Sequence, residues 1–166
     1  MNPQLTNLNA TTKIPLRYVP KNLTKRDKKK QKQNLTKSRK LYKKGVYYQR
    51  PKVKSFKSRK SNHLANLQKI YNVKNANPTD DLARKCGCTM QTLNKIINKG
   101  EGAYYSSGSR PNQTARSWGL ARLASTLTGG NASVIDYHLL RNGCQNDSTA
   151  LKMARKQCKK NDRKCE

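Results

Sequence analysis

Cationic and aromatic side chains interleave along one stretch of the chain, where Tyr47, Tyr48, Arg50, Lys52, Lys54, Phe56 and Lys57 follow one another within a dozen residues. Ammonium and guanidinium groups bind phosphates and carboxylates, and rings set between them suit either a phosphate backbone or an acidic protein groove. Lys28, Lys29, Lys30, Lys32, Lys43 and Lys44 extend the same chemistry upstream. Together these residues are candidate contacts to a polyanion or to the neighbours in an assembly. The same composition also suits a solvated linker.

A second constellation lies in DDLARKCGCTMQTLNKIINKG, residues 80–100. Leu82 and Ala83 fall inside a first helix, Gly87 in a turn, and Leu93 and Ile96 face back from a second helix. The layout resembles the helix-turn-helix of bacterial and phage DNA-binding proteins. That resemblance implies that Gln91, Asn94, Lys95, Asn98 and Lys99 would face the major groove, amides reading adenine and lysines touching guanine or phosphate. Two short packed helices joined by a glycine turn give the same pattern without reading any base.

A third is the glycine- and serine-rich run GEGAYYSSGSRPNQT. Backbone amides there, with Ser106, Ser107, Ser109 and Arg110, are a candidate anion site. The run lacks the Lys-Ser/Thr ending of a P-loop, so nucleotide hydrolysis is not expected. A tight structural loop packing Tyr104, Tyr105 and Trp118 is the competing reading.

Catalysis has little to stand on. The eight acids are scattered, Asp80 and Asp81 read as charges at a helix N-terminus, and Asp136 and His138 are two apart, hence on different helix faces. No enzyme activity and no small-molecule substrate are expected. The five cysteines form no C-x-x-C pair, and His63 and His138 are not spaced as zinc ligands beside them, so neither metal nor cofactor is expected. Reduced thiols are the default expectation, with a disulfide among Cys144, Cys158 and Cys165 as the alternative. On one continuous helix Cys158 and Cys165 would stand about 10 Å apart, too far to join each other. Six Asn-x-Ser/Thr sequons, at Asn9, Asn22, Asn34, Asn112, Asn131 and Asn146, are read as chance in an Asn-rich chain.

The elements that must position these groups are helices. Pro3, Pro15 and Pro20 make residues 1–22 an extended tail, with IPLRYVP able to lie along a neighbour. Thr24 caps a helix that Gly45 stops, polar nearly all round apart from Leu35, Leu41 and Tyr42, and expected to fray alone in water. Leu64, Leu67, Ile70 and Tyr71 form an apolar face after Ser61. Thr79 caps residues 80–86, and Thr89 caps a helix to Asn98 closed by Gly100. Thr114 starts a helix ended by Gly129 and Gly130, Ser133 another ended by Gly143, and Ser148 a last basic one. The expected architecture is all-α: a basic arm over residues 1–60, a small multi-helix domain with a helix-turn-helix-like pair over residues 61–145, and a basic C-terminal helix or tail over residues 146–166.

Charge divides along the same boundary. Of the formal net +29, residues 1–60 carry +19, with 20 Lys and Arg against the single acid Asp27. Self-repulsion on this scale opposes compaction, so the arm is expected to need a polyanion or an enclosing assembly to become ordered. No run reaches the roughly 20 apolar residues of a membrane span, and the N-terminus lacks a secretory signal's apolar stretch.

GAYYSSGSRPNQT, followed by SWGLARLASTLTGG and DYHLLRNGC, resembles an uncharacterised domain found in proteins of large DNA viruses of algae and amoebae, from about Leu23 to Cys144. The resemblance implies a virion setting and no particular chemistry. The resulting expectation is a minor capsid or cement protein whose arm threads between subunits, with the major capsid protein and other minor capsid proteins as partners. The alternative is a sequence-independent DNA-binding or packaging protein that contacts the genome through the arm and the helix pair.

Overall fold

The computed structural model describes residues 13–165, and the first part of the expected extended tail, residues 1–12, lies outside the described residues. The described residues form eight α-helices and one short 3-10 turn with no strand, so the fold is all-α. None of these helices is long and apolar enough to cross a membrane.

Local chemistry sets most helix starts. Thr24, Ser61, Thr79, Thr89, Thr114 and Ser148 each accept a backbone N–H of the first turn through the side-chain oxygen, satisfying a donor the helix cannot satisfy itself. They begin α1 (Lys25–Tyr42), α2 (Asn62–Tyr71), α3 (Asp80–Cys86), α4 (Met90–Ser106), α5 (Ala115–Leu127) and α8 (Thr149–Lys160). The single helix expected to open at Ser133 is two, α6 (Asn131–Ile135) and α7 (Tyr137–Gly143), broken at Asp136; α6 starts before Ser133, from Gly130, without a side-chain cap.

The core gathers around α5, which packs against α4, α2, α6 and α8. Leu67, Leu82, Leu93, Ile96, Ile97, Leu123, Leu127, Leu140 and Leu151 are fully buried there. Gly100 does not end α4 as expected; the helix runs through it to Ser106. The reason is helix contact. A Cβ on Gly100 would lie 2.7 Å from the Gly119 Cα, and one on Gly119 2.8 Å from the Ile97 carbonyl, so the pair lets α4 and α5 cross backbone to backbone.

Within the described part of the arm, residues 13–60, several side chains pack against the rest of the chain, while residues 57–60 are exposed. A 3-10 turn at Leu16–Tyr18 sets Tyr18 edge-on to Trp118, ring centroids 6.0 Å apart. Tyr18, Leu23, Leu35 and Val53 are buried with Tyr104, and α1 lies across α4. Gln31, Leu35 and Ser38 line the docked face of α1. Two of these are polar and tolerate burial because they are hydrogen-bonded: Gln31 Nε2 donates to the Tyr18 carbonyl (3.1 Å) and Ser38 Oγ to that of Tyr105 (3.1 Å). A hydrophobicity count misses such a face. The lysines point to water, where ions screen them over about 8 Å at physiological salt.

The thiols also differ from the default expectation. Cys88 joins Cys144 across a short antiparallel bridge, with Thr89 N–H donating to the Gly143 carbonyl (2.9 Å) and Gln145 N–H to that of Gly87 (2.8 Å). Cys158 joins Cys165, which the continuous-helix argument excluded; α8 instead stops at Lys160, and Asp162 at φ 49° turns the chain back until the two Cα atoms are 5.9 Å apart. Cys86 is the free cysteine, buried, its thiol pushed up to about 11 by desolvation.

Candidate nucleic-acid interface

Docking by one face dictates what α1 shows to solvent. With Gln31, Leu35 and Ser38 turned inward, the helical period puts Arg26, Lys29, Lys30, Gln33, Lys37, Lys40 and Lys44 along the outer side, all exposed. From Arg26 to Lys40 the ridge spans about 21 Å at 1.5 Å per residue. Lys32, Lys37, Lys40 and Lys44 border a shallow groove with Gln33, Thr36 and Leu41. Asp27, the sole acid of residues 1–60, is engaged by Ser55: its Oδ2 accepts from the Ser55 hydroxyl (2.6 Å) and the Ser55 N–H (2.8 Å). These hydrogen bonds, with Lys30 and Arg26 nearby, hold its carboxyl below the usual range.

The structure divides the predicted arm residues between surface and interior. Lys29, Lys30, Lys32, Lys43, Lys44, Lys52, Lys54, Lys57 and Tyr47 are exposed, while Lys28, Tyr48, Arg50 and Phe56 are half-buried. Lys30 Nζ reaches the Lys52 carbonyl (3.2 Å), tying ridge to loop. Tyr48 donates to Asn34 Oδ1 (3.1 Å) and lies beneath the Lys37 ammonium. Asn112, in the left-handed region at φ 62°, clamps the strand-like segment: its Oδ1 accepts the Val53 N–H (2.8 Å), and its Nδ2 donates to the Val53 and Phe56 carbonyls (both 3.1 Å).

Arg50 is an internal anchor. Its Nη1 donates to the Tyr104 carbonyl (2.6 Å) and Ser38 Oγ (3.0 Å), its Nη2 to Ser109 Oγ (2.7 Å), and its guanidinium lies 3.7 Å from the Tyr104 ring centroid. Burial draws its pKa below the ordinary value, though an arginine stays charged.

The serine-rich loop, read from the sequence as either a candidate anion site or a tight structural loop, holds two arginine side chains. Ser109 is buried, bonded to Arg50 and to the Arg110 carbonyl, and the Ser107 carbonyl accepts Arg39 Nε (2.9 Å) and Nη2 (2.7 Å). The Ser107 and Gly108 amides are spent on the Ala103 carbonyl at the end of α4. Ser106, Ser107 and Arg110 are exposed. Tyr104 is buried, as the structural-loop reading requires.

On α4, Gln91, Asn94, Lys95, Asn98 and Lys99 are all exposed, with Lys99 at the edge of the stripe. Lys99 Nζ pairs with Asp136 Oδ1 (2.7 Å), beside Arg122, whose Nε and Nη2 contact Asp136 Oδ2 and Oδ1 (2.7 and 2.8 Å). Thr126 Oγ1 donates to the same carboxylate (3.2 Å). Desolvation raises the pKa of the fully buried Asp136, but the bonds from Arg122 and Lys99 outweigh it and hold the carboxyl below its usual value. Sequence reading missed this hub because its partners are 14 and 37 residues away. Only an uncompensated acid amid an apolar helical pattern hinted at it.

Comparison with curated proteins and with solved structures yields no match to this chain. A family model does match, over residues 15–142, a span that takes in α1, the Arg50 anchor and α4 and stops short of Cys144 and α8. Because that span covers most of the chain, the protein belongs to the family of unknown function DUF5824.

Proposed function

We propose that the protein is a non-enzymatic nucleic-acid binder that holds the phosphate backbone on the outer face of α1, largely independent of sequence. The observation that carries this reading is the docked geometry of the helix. One polar-apolar face is consumed internally, Asp27, the one acid of residues 1–60, is engaged by Ser55, and the remaining cations project as a ridge. A row of fixed cations releases condensed counterions from a polyphosphate, and that term dominates sequence-independent affinity. With about six phosphate contacts, the logarithm of the duplex association constant should fall against log salt with a slope near −5. Filter binding across a salt series tests this; affinity absent at low salt, or insensitive to salt, would refute it.

The exposed α4 stripe of Gln91, Asn94, Lys95 and Asn98 is where base reading would add to this binding. Lys99, at the edge of this stripe, would have to share its ammonium between a base or phosphate and Asp136.

A virion role is the second reading, drawn from the sequence resemblance to a domain of large DNA viruses. The packing of residues 13–60 on their own chain favours a compact unit with a basic face over an arm threaded between capsid subunits. Such a unit would meet genomic DNA or an acidic capsid surface. Co-purification with DNA after shell removal supports the first, and retention by the shell the second.

A further inference from the structure

We propose that Tyr47, braced by Tyr42 and Tyr105, is a base-stacking platform at the C-terminal end of the α1 ridge, and that the protein therefore prefers single-stranded nucleic acid to duplex. The proposal rests on the nucleic-acid reading above and names the form of the ligand. Tyr47 is 67% exposed, although aromatic side chains ordinarily seek burial. Its ring is nonetheless held in place, edge to face with Tyr105 at 5.1 Å and with Tyr42 at 6.0 Å. Those two rings are parallel, their centroids 6.2 Å apart. Tyr105 is itself fixed, packed edge-on against Tyr104 at 5.0 Å and hydrogen-bonded at its hydroxyl by Gln49 Nε2 at 2.7 Å.

The surroundings point to a base as the occupant. Lys43 and Lys44 directly precede this corner and are exposed, Gly45 turns the chain at φ 75° with open space where a Cβ would stand, and Val46 is 47% exposed. Glu101, close enough to act on Tyr105, is itself paired with Arg116, so the lysines set the charge of the corner and disfavour a cationic ligand. A nucleobase attached to a phosphate backbone meets both needs, because its face stacks on a ring while its phosphates follow the lysines. Duplex bases are already stacked on each other and offer no free face. Electrostatics alone favours the duplex, whose charge density is higher, so a single-strand preference reports the rings rather than the ridge.

The test uses the full chain and fluorescence anisotropy with three probes of equal length: oligothymidylate, an abasic strand of the same charge, and a duplex. The expected result is tightest binding to oligothymidylate, and a loss of about tenfold on that probe for Tyr47→Ala with duplex affinity and salt slope unchanged. Tyr47→Trp should retain the preference. Replacing Lys29, Lys37 and Lys40 with Gln should weaken all three probes and flatten the salt slope. Equal binding of abasic strand and oligothymidylate, or Tyr47→Ala losing both polymers equally or neither, overturns the platform and leaves the ridge standing. Failure of the wild-type chain to bind any probe overturns both.

Discussion

At the scale of single residues, a half-buried cation and a buried anion tie elements together. Arg50 joins the loop of the arm to α1, through Ser38, and to the end of α4, through the Tyr104 carbonyl and Ser109. A lysine cannot reproduce that fork or lie flat on the Tyr104 ring. Arg50→Lys should therefore cost about 2 kcal/mol in denaturant unfolding, since hydrogen bonds to charged groups are worth more than neutral ones. Asp136 works oppositely, as one anion between Arg122 and Lys99. Asp136→Asn would leave both cations without a counter-charge and should cost about 3 kcal/mol at neutral pH. Because the folded pKa of Asp136 lies below its unfolded value, its contribution is complete above about pH 4 and is lost as pH falls through the folded value. The asparagine variant should show a shallower acid limb in a stability-against-pH profile; an unchanged limb would show that other carboxylates set it. The types of both residues were plain in the sequence, but their roles were not. Arg50 reads as one more surface cation until Tyr104 and Ser109, more than fifty positions later, are brought to it.

At the scale of elements, helix starts were legible because an N-cap needs only one hydroxyl and its next few residues. Helix ends were less so, since a glycine means either a stop or a close approach. Gly87, at φ 70°, ends α3, while Gly100 lies inside α4 at the α5 crossing. The two uses separate by experiment. Alanine in an ordinary helix interior gains about 1 kcal/mol over glycine. Gly100→Ala should instead lose about 2 kcal/mol, because the new methyl meets backbone that cannot move aside. A melting temperature at or above wild type would show that the helices can separate slightly without penalty. The Cys88–Cys144 link was equally hidden, as the bridge that aligns its partners pairs segments 56 residues apart. Closing a loop of that length constrains the unfolded chain by about 4 kcal/mol on the chain-entropy account. Cys144→Ser should lower the unfolding midpoint accordingly under non-reducing conditions, and added reductant should bring wild type towards the variant.

At the scale of the whole molecule, the net charge of +29 has two consequences of opposite sign in salt. The sequence made the total and its uneven placement visible. What it could not show was direction: buried Gln31, Leu35 and Ser38 turn the helix so that its lysines repel each other through water rather than through the core. In dilute salt, near 0.01 M, screening extends over about 30 Å and most of the ridge repels itself; near 0.15 M it falls to about 8 Å and distant pairs drop out. Raising salt across that interval should therefore raise the melting temperature of the free protein. The same change should weaken nucleic-acid binding, because counterion release contributes less as bulk salt rises. A saturating oligonucleotide supplies the missing anions directly, so it should raise the melting temperature most at low salt, by linkage to the folded state, and least at high salt. Scanning calorimetry of the free and bound protein over a salt series gives two curves that converge as salt increases. Substituting Gln for Lys29, Lys37 and Lys40 should bring the curves together at lower salt by lifting the free-protein curve and lowering the bound one. Curves that stay parallel would mean that the ridge neither destabilises the free chain nor holds the polyanion.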